Sequence, residues 1–412
     1  MRTYLGEEIT AAEATGTFRF AGFQRAVADW FSAADAFALT SREDPFPAVV
    51  QEALCAGLAT VAFEGSGGIP EMLAQHGCGE AVPMADADAM ADSLLRIARH
   101  PEAFGGPERL AALARKKFDF DDYAEWLLQM ARPDVVRVSA VVPSYNYAHF
   151  LDRRIGSITA QTYPLSELIV LDDASTDDSA AVARQAARTR KRAMSVLANE
   201  ANSGSVFAQW RRAAELARGD YLWIAEADDE ADPEFLATLA ERLKSAPEVA
   251  LAFCDSRSID GAGAPVWPGY ADYYRASGAD ELTRDGIFPA REFARRFLGE
   301  RNLILTASAV LWKRKPLLAA LDRCGDELTR YRMAGDWRLY VELLAASDGH
   351  VAYVAKPLNV HRRHEASVTH RLKGRRHREE IARVHRAIRD RLGADPELKQ
   401  RQAAYLRALA AE

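Results

Sequence analysis

Short apolar runs alternate with amphipathic stretches along most of the chain. Ahead of residue 131 the runs are Ala36–Leu39, Ala59–Phe63 and a weaker one at Glu80–Pro83, separated by helical patterns such as Ala48–Cys55 and Asp86–Ile97. Strands that alternate with helices predict a parallel sheet, so residues 1–131 read as a small α/β unit. A second series begins at Arg137. Val138–Val142 has the composition of a buried strand, and Leu168–Leu171, Met194–Leu197 and Tyr221–Ile224 follow, with amphipathic stretches at 150–161, 177–189 and 205–217 between them. That pattern predicts a mostly parallel central sheet covered by helices. Beyond Asp229 a helix is expected at 233–243. Segment 255–300, rich in Gly, Tyr, Trp and Arg, reads as irregular structure over a cleft. Strands are expected at 303–312 and 350–354, with a helix at 335–346. From about Arg371 the chain is charged and helical, and Ile381, Val384, Ile388 and Leu392 form one apolar stripe. Asp395-Pro396 interrupts that run and a short helix follows. The expected division is 1–131, 132–371 and a tail at 372–412, with a linker at Ala131-Arg-Pro-Asp134.

Composition narrows the possible functions. Hydrophobic residues make up 49% of 412 and charged residues 27%, enough to bury cores. A net charge of −6 argues against a dedicated nucleic-acid binder, whose phosphate contacts need a basic face. Cys55, Cys78, Cys254 and Cys324 show no paired spacing, so neither a thiolate zinc site nor a disulfide framework is expected, which suits a reducing cytoplasm. No apolar run approaches the roughly 18 residues of a membrane span. The opening residues carry no signal-peptide pattern.

Open α/β sheets bind ligands beyond the carboxyl ends of their strands, so polar residues that follow a strand draw attention. Pro143, Tyr145 and Asn146 follow the first strand of the second series. Asp172 and Asp173 sit at the tip of the second, with Ser175 placed to cap the next helix. Glu226, Asp228 and Asp229 crowd the tip of the fourth. Adjacent carboxylates repel unless a cation or raised pKa values relieve them. Oxygen ligands suit Mg²⁺ or Mn²⁺. A solvated acidic turn capping the helix at 233–243 is the plainer alternative.

Val138–Asn146, Leu171–Asp178, Asn202-Ser-Gly204 and Ala217–Asp229 together resemble, in order and spacing, the motif set of family 2 glycosyltransferases. The resemblance covers about 136–370. It implies a GT-A fold and transfer of a hexosyl or deoxyhexosyl group from a nucleotide sugar, with inversion and a divalent metal. Pro143, Tyr145, Asp172 and Asp173 would line the nucleotide pocket. Glu226-Ala-Asp228 would stand for the family's Asp-x-Asp motif, with Glu in its first place. Asp228 and Asp229 would lie nearest metal and diphosphate, and whether Glu226 or Asp229 completes the site stays open. Gly335-Asp-Trp337 fits the family's acidic-aromatic pair, making Asp336 the general base; a helix cap is the alternative. His364, or else His361, would reach back to the metal, and Arg362 and Arg363 could face phosphate. Trp267, Tyr270, Tyr273 and Tyr274 fall where the acceptor should bind, though clustered aromatics also serve ordinary packing. The implied partners are a nucleotide-sugar donor and a glycan or lipid-linked acceptor, in cell-surface polysaccharide assembly. A catalytically silent sugar-nucleotide-binding or scaffolding protein is the alternative. A sugar nucleotidyltransferase would need a Gly-rich loop where Pro143-Ser-Tyr-Asn146 stands.

The first unit resembles another family. Thr40–Leu54, with Asp44 and Glu52 eight positions apart, and Gly65-Ser-Gly-Gly-Ile-Pro-Glu71 are similar to the donor-binding half of family 4 glycosyltransferases of GT-B fold. The acceptor-side domain and the basic residues that hold the diphosphate have no counterpart here. This unit is therefore expected to be a partial Rossmann-like remnant, or the tail of a longer protein, kept as a docking module. In the tail, nine Lys or Arg and three acids lie between Arg371 and Arg391. That helix either packs its apolar stripe on the catalytic domain or rests on the inner face of a membrane with its basic face toward anionic head groups. The first is the expected arrangement.

Overall fold

The computed structural model describes residues 6–132, 135–190, 194–244, 248–364 and 374–411. Pro133 and Asp134 of the expected linker, residues 365–369 of the last motif, and Arg371 at the head of the tail lie outside them. The chain packs as two units, Met1–Arg132 and Pro133–Glu412.

In the first unit β1 (Phe37–Leu39), β2 (Thr60–Phe63) and β3 (Gly79–Val82) form a parallel sheet in the order β1-β2-β3. The apolar runs are these strands, and every residue of β2, the central one, is buried. Val50, Leu54, Ile69, Leu73, Ile97 and Leu110 from the surrounding helices close its core. The Gly-rich turn is shaped by close approach. A Cβ on Gly67, whose φ is 142°, would sit 1.9 Å from the Asp44 carbonyl oxygen, so no side chain fits there. Asp44 is half-buried beside this turn and Glu52 is exposed on the helix Ala48–Cys55.

In the second unit the strands are β4 (Val138–Ser144), β5 (Glu167–Asp172), β6 (Ser195–Ala198), β7 (Tyr221–Ile224), β8 (Glu230–Ala231), β9 (Val249–Asp260), β10 (Pro265–Trp267), β11 (Gly286–Pro289), β12 (Val310–Lys313) and β13 (His350–Arg363). The main path runs β11-β13-β9-β12-β7-β4-β5-β6, with β10 on β9 and β8 on β13. β4, β5, β6 and β7 pair in parallel, as do β9 and β13, while β12 is antiparallel to both neighbours. This is the α/β architecture that the alternation of apolar runs and helical patterns predicts. Alternation along the strands supplies two cores. Val141, Leu222, Ile224 and Trp312 face one, and Ala140, Val142, Trp223 and Leu311 face the other. Helices cover both faces, which is why these strands read as unbroken apolar runs.

Three expectations need correction. Segment 255–300 is not irregular throughout. Its first residues continue β9, whose polar Asp255, Ser256 and Ser258 are buried, and Ala290–Phe297 is a helix that buries Phe293 and Phe297. The expected strand at 303–312 shrinks to β12, because Thr306 accepts the Ser308 N–H (3.2 Å) and starts a tight turn at Ala307–Ala309. The strand expected at 350–354 runs on to Arg363 through register shifts on either side of Pro357. The tail packs on the second unit, as expected. Ile381, Val384, Ile388 and Leu392, from the helix Arg375–Leu392, lie in the same apolar cluster as Trp312 and Tyr340. Leu398 of the final helix, Pro396–Ala411, joins them. Burial of each such side chain stabilises by about 1.5–3 kcal/mol. The stripe is therefore committed to the protein core, which is the arrangement expected of it. Among the described residues, no helix is long and apolar enough to cross a membrane.

Candidate active site

Pro143 lies within β4 rather than ending it. It pairs with Leu171 of β5, while pairing with β7 stops at Val141, so its missing N–H falls where one side of the strand has lost its neighbour. Tyr145 is exposed just beyond. Asn146 takes φ 60°, which Asn tolerates, and its Oδ1 accepts the Thr176 N–H at 2.8 Å. Ser175 does not cap a helix, since its Oγ accepts the Asn146 N–H at 3.0 Å. Ala174 is held at φ 57°, a strain of roughly 1–3 kcal/mol.

Asp172 and Asp173 are both buried. Asp172 Oδ2 accepts the Ser175 N–H (3.1 Å), and Oδ1 has no partner among the described residues. Asp173 is a hub. Its Oδ1 accepts from the Ser203 N–H (2.9 Å) and Gln209 Nε2 (2.8 Å), and its Oδ2 from Ser203 Oγ (2.7 Å). Asn199 Nδ2 also donates to it. The motif Asn202-Ser-Gly204 thus folds onto the second strand tip.

At the tip of β7 the three acids part ways. Glu226 accepts from Trp210 Nε1 at 3.0 Å. Burial, then the Asp228 charge, pushes its pKa up to about 8. Asp228 Oδ2 lies 3.0 Å from His364 Nε2. Asp229 turns inward, and its oxygens accept from Thr306 Oγ1 (3.1 Å) and the Arg362 N–H (2.9 Å). Burial raises the Asp229 pKa as well. Among the described residues no three His, Cys, Asp or Glu side chains converge as a ready-made metal site. The donor chemistry nonetheless fits Mg²⁺ or Mn²⁺, because the Asp228 carboxylate and the His364 imidazole are adjacent beside further carboxylates. His361 instead places Nδ1 3.0 Å from the Tyr270 hydroxyl.

The two basic residues considered for phosphate differ in setting. Arg362 is buried, with Nε donating to the Asp228 carbonyl (2.8 Å) and Nη2 to Glu230. Arg363 stacks its guanidinium 4.5 Å from the Trp267 ring centroid. The acceptor aromatics also divide. Tyr270 and Tyr274 recur four apart at the helix Ala271–Ala276 and are buried, whereas Trp267 and Tyr273 are exposed. Only the latter pair presents ring surface to solvent.

Asp336 stands in the first turn of the helix Gly335–Ala345. Its Oδ1 accepts the Trp337 N–H (2.7 Å) and its Oδ2 the Asn302 Nδ2 (3.3 Å). Desolvation lifts its pKa from 3.8 to about 7, although these hydrogen bonds pull it down. One helix, Val206–Leu216, ties all these groups together. Gln209 binds Asp173, Trp210 binds Glu226, and the Phe207 ring packs so tightly on Gly335 that a Cβ there would lie 2.3 Å from it. The buried Tyr340 hydroxyl lies within the fields of both Asp336 and Glu226.

Sequence reasoning missed Trp210, Asn302, Thr306 and a buried cation, Arg154. The Arg154 guanidinium lies 4.8 Å from the Trp223 ring centroid and within the field of Asp229, Asp228, Glu226 and Glu230, with burial lowering its pKa to about 10. A signal existed, since Arg154 falls on the inward stripe of Leu151, Ile155 and Ile158.

Residues 139–294 match the Glycosyl transferase family 2 model, and residues 1–117 match that of Glycosyl transferases group 1. Both matches stand in the order that the motifs implied. The family 2 segment contains Asp173, Glu226 and Asp228, while Asp336 and His364 lie beyond it. Among curated relatives, the Bacillus subtilis (strain 168) glycosyltransferase TuaG, named for teichuronic acid biosynthesis, is 34% identical over 92 residues, 22% of this chain and 36% of that protein. Glycosyltransferase GlyG of Streptococcus pneumoniae serotype 4 is 31% identical over 107 residues, 26% of this chain and 35% of that protein. The chain thus spans about a third of the length of these relatives. Of solved structures, S. aureus TarS 1-349 in complex with UDP-GlcNAc overlaps 66% of this chain and 72% of its own, with TM-score 0.48 and 16% identity. The mannosyltransferase PcManGT from Pyrobaculum calidifontis, in complex with GDP-Man and Mn²⁺, overlaps 73% and 85%, with TM-score 0.43 and 21% identity.

Proposed function

We propose that the second unit is an inverting, metal-dependent glycosyltransferase. It moves a hexosyl or deoxyhexosyl group from a nucleotide sugar to a hydroxyl of a glycan or lipid-linked acceptor, in cell-surface polysaccharide assembly on the cytoplasmic side. The observation that carries this reading is the helix Val206–Leu216, which binds the Asp173 hub, the Glu226 strand tip and the Asp336 helix start into one site.

In this reading Pro143, Tyr145, Asp172 and Asp173 border the nucleoside. Asp173 acts mainly through the loop at 202–204 that it holds in shape. Asp228 and His364 would hold Mg²⁺ or Mn²⁺, with Asp229 bracing the Asp228 backbone through Arg362. The cation, when bound, supplies positive charge beside the diphosphate leaving group. Asp336 accepts the proton of the acceptor hydroxyl. A base with a pKa near 7 is suited to that step at neutral pH. The acceptor oxygen attacks the anomeric carbon opposite the phosphate as the bond to the phosphate oxygen breaks, so the configuration inverts and no covalent enzyme intermediate forms. Trp267 and Tyr273 offer aromatic faces to the acceptor sugar.

The test is release of nucleoside diphosphate from UDP-GlcNAc, UDP-Glc, UDP-Gal and GDP-Man, with and without Mn²⁺ and with alkyl glycosides as acceptors. Metal-dependent release that rises with acceptor supports the reading. Binding of these donors without any release supports the silent sugar-nucleotide-binding alternative.

A further inference from the structure

We propose that Glu380, far along the chain on the helix Arg375–Leu392, is a positioning residue for the catalytic base. The inference rests on Asp336 being that base. Glu380 is buried, and its carboxylate receives three consecutive backbone donors. Oε1 accepts the Arg332 N–H at 2.9 Å, and Oε2 accepts those of Met333 (2.9 Å) and Ala334 (3.1 Å). Successive N–H groups that converge in this way form an anion-binding nest. Ala334 is the N-cap of the helix Gly335–Ala345, and its own side chain makes no capping bond. The carboxylate from the C-terminal helix therefore fixes the helix entry that an Ala cap leaves loose. Asp336 is the second residue after that entry.

The same helix pair also holds the segment that leads to Asn302. His385 Nε2 donates to the Glu300 carbonyl at 2.7 Å, and Gln402 Nε2 to the Gly299 carbonyl at 2.8 Å. Two residues further on, Asn302 is the side chain that donates to Asp336. Arg332, in the nest, sends Nη1 to the Gly204 carbonyl at 3.0 Å, so the loop held by Glu380 also touches the loop around Asp173. The C-terminal helices thus hold the base in register with the donor side, beyond filling the core.

The experiment compares Glu380→Gln with Asp336→Asn in the full chain, using the nucleotide sugar of the panel above that turns over. Gln keeps the length of the side chain but presents an NH₂ where backbone donors now point. The expected result is kcat lower by roughly 10–100-fold, the range for a slightly misplaced catalytic group, with the donor KM and UDP or GDP affinity in Mn²⁺ within twofold of wild type. Retained nucleotide affinity shows that the variant is folded. If Glu380→Gln is insoluble, Glu380→Asp, which keeps the charge but not the reach, is read the same way. Wild-type kcat in Glu380→Gln beside an inactive Asp336→Asn overturns the positioning role and leaves the base in place. Equal losses of kcat and nucleotide affinity also overturn it, because they mark a general support of the fold. Wild-type turnover in Asp336→Asn removes the base itself, and this inference with it.

Discussion

Replacing Asp336 with Asn should inactivate the enzyme and stabilise the protein, and the stabilisation should grow with pH. Asn has the shape of Asp. Its Oδ1 still accepts the Trp337 N–H, but the Asn302 Oδ1 already accepts the Ile304 N–H, so the new NH₂ faces the Asn302 NH₂ and one hydrogen bond of 3.3 Å is lost at every pH. What changes with pH is the charge. In the folded protein the Asp336 pKa rises from 3.8 to about 7, chiefly by desolvation. Below pH 3.8 the group is protonated whether the chain is folded or not, so it contributes nothing to pH dependence. Between those values the unfolded chain releases the proton and the folded chain keeps it, so wild-type stability falls as pH rises. Above pH 7 the penalty is complete. At about 1.4 kcal/mol for each tenfold change in the proton equilibrium, its ceiling is about 4 kcal/mol. Asp336 retains some solvent contact, which reduces the expected value to roughly 1–3 kcal/mol. Urea unfolding of both proteins at pH 5 and pH 8 measures it. The advantage of Asp336→Asn should be larger at pH 8 by ~1–2 kcal/mol, while kcat falls by about 10²–10⁴. An advantage equal at both pH values, or a variant less stable at pH 8, would refute the desolvated carboxylate.

Two further changes test the framework around the site. Gly335→Ala places a Cβ 2.3 Å from the Phe207 ring, and overpacking of this kind costs about 1–3 kcal/mol; urea unfolding should show that loss, and adding Phe207→Leu should restore part of it. A chain ending at residue 373 loses Ile381, Val384, Ile388 and Leu392 from the core of the second unit. It should be insoluble or lack cooperative unfolding by circular dichroism, whereas a folded, soluble product would show that the tail is an accessory.

Much of the layout was legible because both faces of the central sheet are buried. Strands such as Val138–Ser144 then announce themselves as apolar runs, and the acids at their ends stand out against them. Legibility failed where polar residues are buried. Asp255, Ser256 and Ser258 disguise the second half of β9; the structure satisfies Asp255 with the Ser256 and Tyr270 backbone N–H groups. It failed again for long-range partners. Nothing local links Glu380 to residues 332–334, 46–48 positions earlier, or Trp210 to Glu226. Tyr270 and Tyr274 looked like acceptor contacts because aromatic side chains suit sugars and cores alike, and only their four-residue spacing at a short helix hinted at burial. Asp228 and Asp229 are adjacent in sequence yet differ in role, since one faces His364 and the other faces Thr306 and the Arg362 backbone.

Asp228 and its neighbours are proposed above to form a metal-dependent nucleotide site. Isothermal titration of UDP and GDP into the whole chain, with and without Mn²⁺, tests it most directly when wild type is set beside Asp228→Asn. At least one nucleotide should bind wild type only when Mn²⁺ is present, and Asp228→Asn should lose this binding while its circular dichroism is unchanged. Nucleotide affinity that is the same without Mn²⁺, or undiminished in Asp228→Asn, would contradict it.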